Sequence, residues 1–152
     1  MRKTKQEITS LKEIEDIIQR ADICRLAMCS NDIPYVVPLN FGYANGSFYF
    51  HCAKEGLKLD IIRDNNLVCF EIESDLDLRT TDEPCTWSQK FKSVIGWGRA
   101  SILEEREEKR HALLIMMNHY EKRAWEIPNE KVDTVSVIEV KVERMTAKRD
   151  GN

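Results

Sequence analysis

The sequence predicts a mostly β fold with inserted helices, of the α+β class, forming a small closed or split antiparallel barrel of six strands. Short runs rich in Val, Leu and aromatic residues, punctuated by turn residues, fill the stretch from Ile23 to Cys52. Within it, Asn45-Gly46 tolerates the positive φ angles of a type I′ turn, the strongest short-range hairpin signal. Further strand patterns follow with helical patterns inserted between them.

Each element has its own justification. Ser10 and Glu13 form a capping box, and Leu11, Ile14, Ile17, Ile18 and Ala21 recur at helical spacing, predicting an amphipathic helix over about residues 10–21. The barrel then runs over about residues 23–145. Strands are expected over 23–30 and 35–43, separated by Ser30, Asn31, Asp32 and Pro34, and a third over 47–52. Leu57, Ile61 and Ile62 share one face of a short helix over 54–65 that Asn65-Asn66 stops before a strand over 67–73. The acidic stretch 74–83 reads as an exposed loop, and 87–103 as a long strand interrupted by Gly96 and Gly98. A helix over 104–120 carries Glu104, Glu105, Glu107 and Glu108 in its first turns, with Leu113, Met116, Met117 and Tyr120 on its buried face. In the last strand Ile138, Val140 and Val142 alternate with Glu139, Lys141 and Glu143.

Composition bounds the function. With 152 residues, 42% of them hydrophobic, the chain reads as one globular domain over 1–152. Lys and Arg number 23 against 26 Asp and Glu, a net charge of -3 that makes a nucleic-acid partner a poor expectation. The longest apolar run, residues 112–117, is too short for a membrane span, and the polar N-terminus has no leader pattern, so a cytoplasmic protein is expected. Five cysteines form no C-x-x-C pair, which points to free thiols in a reducing compartment. Cys24 and Cys29 fall on opposite strand faces, so no metal site is expected.

Three features bear on chemistry. Around Pro38 one strand face is bulky (Tyr35, Val37, Leu39, Phe41, Tyr43) and the other nearly bare (Val36, Pro38, Asn40, Gly42). Pro38 cannot donate to a ladder, so the strand is an edge there or its backbone faces something other than a neighbouring strand. The long strand repeats the asymmetry with Val94, Gly96, Gly98 and Ala100, whose glycines either admit a flat ligand or bend the strand at a barrel corner. The stretch from His51 to Lys58 runs from a strand end into a helix start, where free N–H groups, Gly56 and the Lys58 charge make an anion site; a solvated helix face is the alternative. His51 falls on the Tyr49 face, which places it in a cleft rather than the core. Three indoles, Trp87, Trp97 and Trp125, suit a place beside a redox ring or at a dimer seam, although Trp97 shares a face with Ile95 and reads as core; His111 and His119 read as surface or boundary residues without a role.

Several stretches, in order, resemble a known family. These are Cys24-Arg25-Leu26-Ala27, Pro34-Tyr35-Val36-Val37-Pro38-Leu39-Asn40-Phe41-Gly42-Tyr43, Tyr49-Phe50-His51 with Ala53, Gly56 and Lys58, and Val68-Cys69-Phe70-Glu71. Trp87-Ser88, Ser93-Val94-Ile95-Gly96 with Gly98-Arg99-Ala100, and Met145-Thr146-Ala147-Lys148-Arg149 complete the set. Together they resemble the FMN-binding split barrels of the pyridoxamine 5'-phosphate oxidase-like superfamily, in particular its nitroimidazole-resistance reductases. The resemblance implies a homodimer with FMN in the cleft between subunits. Val37, Pro38, Leu39 and Asn40 would lie along the isoalloxazine and ribityl chain. His51 and Cys52 would end the next strand beside the cofactor, Gly56 and Lys58 would hold the phosphate, and Ser93 and Val94 would approach the ring. Val36 and Val37 stand where the oxidases proper carry a phosphate-binding arginine, and their arginine-rich C-terminal tail is missing, so the reductase branch fits better.

The function expected is an FMN-dependent oxidoreductase that passes electrons from a reduced nicotinamide or another donor to a small electron-poor acceptor such as a nitroaromatic. His51 is the candidate proton donor or hydrogen-bond partner in the cleft. The alternative is a non-catalytic flavin or haem carrier or sensor, with His51, Cys52 or His119 as haem ligands. FAD and a deazaflavin are the alternative flavins.

Overall fold

The computed structural model describes residues 6–150; residues 1–5 and 151–152 of the expected domain lie outside the described residues. In chain order the elements are β1 (Glu7–Ile8), α1 (Leu11–Arg20), β2 (Cys24–Ser30), β3 (Ile33–Leu39), β4 (Gly42–Ala44) and β5 (Ser47–Cys52). Then come α2 (Leu57–Asp64), β6 (Leu67–Arg79), β7 (Ser88–Ile102), α3 (Arg106–Tyr120), α4 (Asn129–Asp133) and β8 (Ser136–Asp150). The strands form one eight-stranded antiparallel sheet ordered β3-β2-β6-β7-β8-β5-β4, with β1 paired to β8. β3 and β4 lie at opposite ends of that order, yet only Asn40 and Phe41 separate them in the chain. The sheet therefore curls until its ends meet with no ladder between them, and the barrel is split at this point.

The strand count is eight rather than six because the stretch 35–43 breaks at Asn40-Phe41 and the short β1 joins β8. Both predicted hairpin turns form. Asn31 (φ 50°) and Asp32 (φ 62°) make the first, which places Pro34 inside β3 opposite Cys29 rather than in the turn. Asn45 (φ 52°) and Gly46 (φ 77°) make the second. The Ser10 hydroxyl accepts the Glu13 amide at 3.4 Å, and α1 turns Ile14, Ile17 and Ile18 into the core. There they join inward residues of the sheet, among them Leu26, Phe48, Phe50, Phe70 and Val94.

Four expectations are corrected. Residues 74–79 are strand: β6 continues through a bulge between Ser74 and Asp77, with Asp75 at φ 55°, and pairs with β7 as far as Arg79. The acidic composition hid a period-two pattern, Asp75-Leu76-Asp77-Leu78, which is a strand signature. Gly96 and Gly98 do not interrupt β7, and their bare face looks inward. A Cβ on Gly96 would collide with the Phe70 ring, and one on Gly98 with the Lys141 carbonyl, so protein rather than ligand makes the close approach. The β7–β8 register shifts between Trp97 and Gly98, which favours the bend reading. Trp97 is on the outer face, half-buried under the Arg144 guanidinium at 4.3 Å from the ring centroid, and does not belong to the core. Finally, α3 buries Ala112 and Met116, whereas Met117 and Tyr120 are 40% and 43% exposed.

Among the described residues no helix is long and apolar enough to cross a membrane, and no group of His, Cys, Asp and Glu could hold a metal ion. Cys24 is buried, and burial pushes its thiol well above the ordinary range. Because the Lys141 carbonyl belongs to a neighbouring strand and cannot yield cheaply, Gly98→Ala should destabilise the fold by about 1–3 kcal/mol. Urea unfolding should show a lower midpoint at unchanged slope.

Candidate functional site

The site begins at the split. β3 pairs only with β2, and Pro34 and Pro38 withhold two amide donors from its other side, which keeps the edge open. Val37 and Leu39 turn toward the core, whereas Val36 is 60% exposed and Pro38 and Asn40 face solvent. One oxygen holds the crossing to β4. The Tyr120 hydroxyl accepts the Asn40 side-chain amide at 3.1 Å and the Phe41 backbone amide at 3.0 Å, and it donates to the Asp22 carbonyl at 2.7 Å. Beside it His119 Nε2 lies 2.7 Å from the Ala21 carbonyl, and its ring packs 4.3 Å from Phe41. His119 is thus a boundary residue that ties α3 to the end of α1.

Strand alternation then sets β5. Phe48 and Phe50 fill the core, and His51 on the opposite face is exposed. His51 and Asn40 line one cleft of ≈ 510 Å³, closed on its other sides by α3 and by the residues leading into α4. The exposed Met117 and Tyr120 are walls of this cleft, which explains why the helix has more apolar surface than its core contact needs. Its remaining wall was not legible in the sequence, where 121–135 has no periodic pattern; Trp125 in a polar stretch and Ile127-Pro128 before a helix start were the available signals.

At the end of β5 the half-buried Cys52 pairs with Ser136, and four residues later Gly56 caps α2 with φ 143°. That angle suits glycine, and a Cβ there would meet nothing within 4 Å, so the approach to the helix start is open. The Gly56 carbonyl receives the amides of Leu59 (2.9 Å) and Asp60 (3.3 Å), while the Leu57 and Lys58 amides precede the first intrahelical bond. Burial pushes the Cys52 thiol up, and the Lys58 charge opposes that rise. Lys58, Gly56 and Cys52 therefore form one cationic corner beside the His51 strand end.

Ser93 and Val94 are not brought to this group. Val94 is fully buried and opposes Ile72, in line with Cys24 and Leu39 across the sheet. Ser93, 6% exposed, pairs with Lys148, whereas His51 pairs with Val137. Those two partners lie eleven residues apart on β8, roughly 35 Å of strand.

The Tyr120 hydroxyl satisfies two donors and one acceptor on three chain segments, so Tyr120→Phe should cost about 1–2 kcal/mol, reduced from the fully buried case by partial exposure. Thermal unfolding checks this, and proteolysis should find the Asn40-Phe41 crossing newly accessible.

Residues 10–149 match the family described as pyridoxamine 5'-phosphate oxidase. The crystal structure of a candidate 5-nitroimidazole antibiotic resistance protein from Bacteroides thetaiotaomicron VPI-5482 is 36% identical, with a TM-score of 0.82 over 95% of this chain and 90% of that one. The flavocytochrome Anf3 of Azotobacter vinelandii superposes with a TM-score of 0.82 at 15% identity, covering 100% of this chain and 72% of its own. An FAD and haem binding protein from Mycobacterium smegmatis gives 0.81 at 13% identity, over 97% of this chain and 74% of that one. At such identities the likeness is one of fold. The match over nearly the whole chain and the split-barrel topology make this protein a member of the pyridoxamine 5'-phosphate oxidase family.

Proposed function

We propose that this protein is a flavin-dependent oxidoreductase that binds FMN along the open β3 edge and reduces small, electron-poor, nitroaromatic-like acceptors. The observation that carries the reading is the adjacency of a cationic helix start to the strand end that bears His51 and the cleft. The residues present fit the cofactor. One lysine and the open amides at Gly56 suit a single phosphate, which favours FMN over FAD. The 36% identity to the nitroimidazole-resistance relative supports the acceptor class.

Bound flavin supplies the two-electron redox chemistry. Val37, Pro38, Leu39 and Asn40 orient it from the β3 edge, and Gly56 and Lys58 hold its phosphate, with Cys52 between them and His51. A ring nitrogen of His51, exposed at the cleft, is placed to hand a proton to an acceptor as it is reduced. A second copy of the chain completes the open β3 side of the site, whereas Val94, fully buried, and Ser93, 6% exposed, present almost no side-chain surface to a cofactor on either copy. Ile33 (69% exposed) and Val36 on β3 supply apolar surface for such a contact. The cytoplasm suits a chain whose five cysteines are all free.

Light scattering should return twice 17.7 kDa; a monomer mass at micromolar concentration contradicts the shared site. Lys58→Ala should weaken FMN binding by about tenfold or more, the loss of a charge-assisted hydrogen bond, while riboflavin affinity hardly changes. Equal losses for both ligands would remove Lys58 from the phosphate site. His51→Gln should leave the flavin spectrum and its reduction by NADH or NADPH intact while slowing reoxidation by a nitro compound. Weaker FMN binding at an unchanged rate per bound flavin would make His51 a cofactor contact instead. A loaded protein that fails to cycle between nicotinamide and nitro compound would be a carrier.

A further inference from the structure

We propose that the cleft under Trp125 is the acceptor site and that it is built for an uncharged, flat aromatic ring while rejecting phosphorylated ones. The proposal rests on the flavin reading for the fate of the bound ring, and on the cleft alone for its binding. At ≈ 510 Å³ the cleft lies within the about 300–1,000 Å³ of small-molecule sites. Leu113, Met116 and Met117 of α3 line one side, and their polarisable or apolar groups suit the face and edge of a ring.

Trp125 lines the cleft as a fixed slab. Its indole N–H donates to the Glu121 carbonyl at 3.0 Å, and the Arg123 guanidinium covers the ring 3.5 Å from its centroid. Arg123 does not line the cleft, so the indole surface it leaves uncovered is available to a ligand. The segment that carries Trp125 is tied down beyond it. Arg110 of α3 donates to the Ile127 carbonyl and to the Asn129 side-chain oxygen, and Arg106 holds Asp133 through two hydrogen bonds of 2.9 and 2.7 Å. The wall is therefore preformed, which lowers the ordering cost of binding.

Charge decides between aromatic ligands. The formally charged groups on the lining are Glu126 and Lys131, one of each sign, and His51 and Asn40 add polar groups at the flavin end. A phosphate brings up to about two negative charges and finds no net counter-charge, so its desolvation is uncompensated. A neutral nitro-substituted ring keeps its apolar body against Trp125 and leaves its polar atoms toward His51 and Asn40.

The test uses the flavin-free protein carrying Trp87→Phe and Trp97→Phe, which leaves Trp125 as the single indole of the three in the chain. Titration with 4-nitrobenzyl alcohol should quench its fluorescence saturably, and 4-nitrophenyl phosphate should bind at least about tenfold more weakly. By calorimetry, Trp125→Ala in the otherwise unaltered chain should weaken the alcohol by about tenfold, and Trp125→Phe should restore most of the loss. FMN affinity, read by absorbance, should be unchanged in both. Non-saturating quenching, equal affinities for the two nitro compounds, or unchanged calorimetric binding in Trp125→Ala would overturn the proposal. Competition by lumichrome for the same site would also overturn it, because the cleft would then house the flavin ring. Saturable nitro binding in a chain that takes up no flavin would defeat the flavin reading alone.

Discussion

The rest of the structure depends on one missing ladder. The chain must pass from one end of the sheet to the other in two residues, Asn40 and Phe41, and no strand pairing joins β3 to β4 across that step. Backbone groups that would be satisfied in a closed barrel need other partners here, and the Tyr120 hydroxyl supplies one for the Phe41 amide. Because the same oxygen binds the Asn40 side chain and the Asp22 carbonyl, the split is held from α3, the helix that also walls the cleft. Opening of the barrel and placement of the cleft are consequences of the same step.

An open edge attracts unwanted strands, and β3 limits this with Pro34 and Pro38, which remove donors without closing the edge to a ligand. On the other side of the split, β5 alternates Phe48 and Phe50 inward with His51 outward, and it ends where Gly56 and Lys58 begin α2. Polar, cationic and apolar parts of the proposed site are thus set in sequence along 37–58, on rigid elements. The β7 residues Ser93 and Val94 stand apart from it, Val94 within the core and Ser93 at 6% exposure.

Local signals were the legible ones. The Ser10 cap, the Asn45-Gly46 turn and the β5 alternation each rest on a few neighbouring residues and formed as expected, whereas α2 starts at Leu57 rather than at 54 and leaves Leu57 exposed. Long-range closure was not legible. Nothing local in Tyr35 to Tyr43 marks Asn40 as the point where a strand ends, because the signal is a tyrosine hydroxyl eighty residues away. The alternation around Gly96 and Gly98 was visible, but its bare face was left to a ligand or a bend and Trp97 was put in the core, and only the positions of Phe70 and Lys141 show that the bare face is the core side. Residues 74–79 were obscured because acidic composition outweighed their period of two. The cleft wall at 121–135 owes its shape to side-chain ties from α3, which no periodicity records.

Cofactor binding along the open β3 edge is tested most directly by amide hydrogen exchange with and without saturating FMN. Binding there predicts slowed exchange in peptides covering 36–41 and 51–59, with the strongest change at the Leu57 and Lys58 amides that start α2. Saturable FMN binding that leaves both segments unchanged and protects a different part of the chain would contradict it.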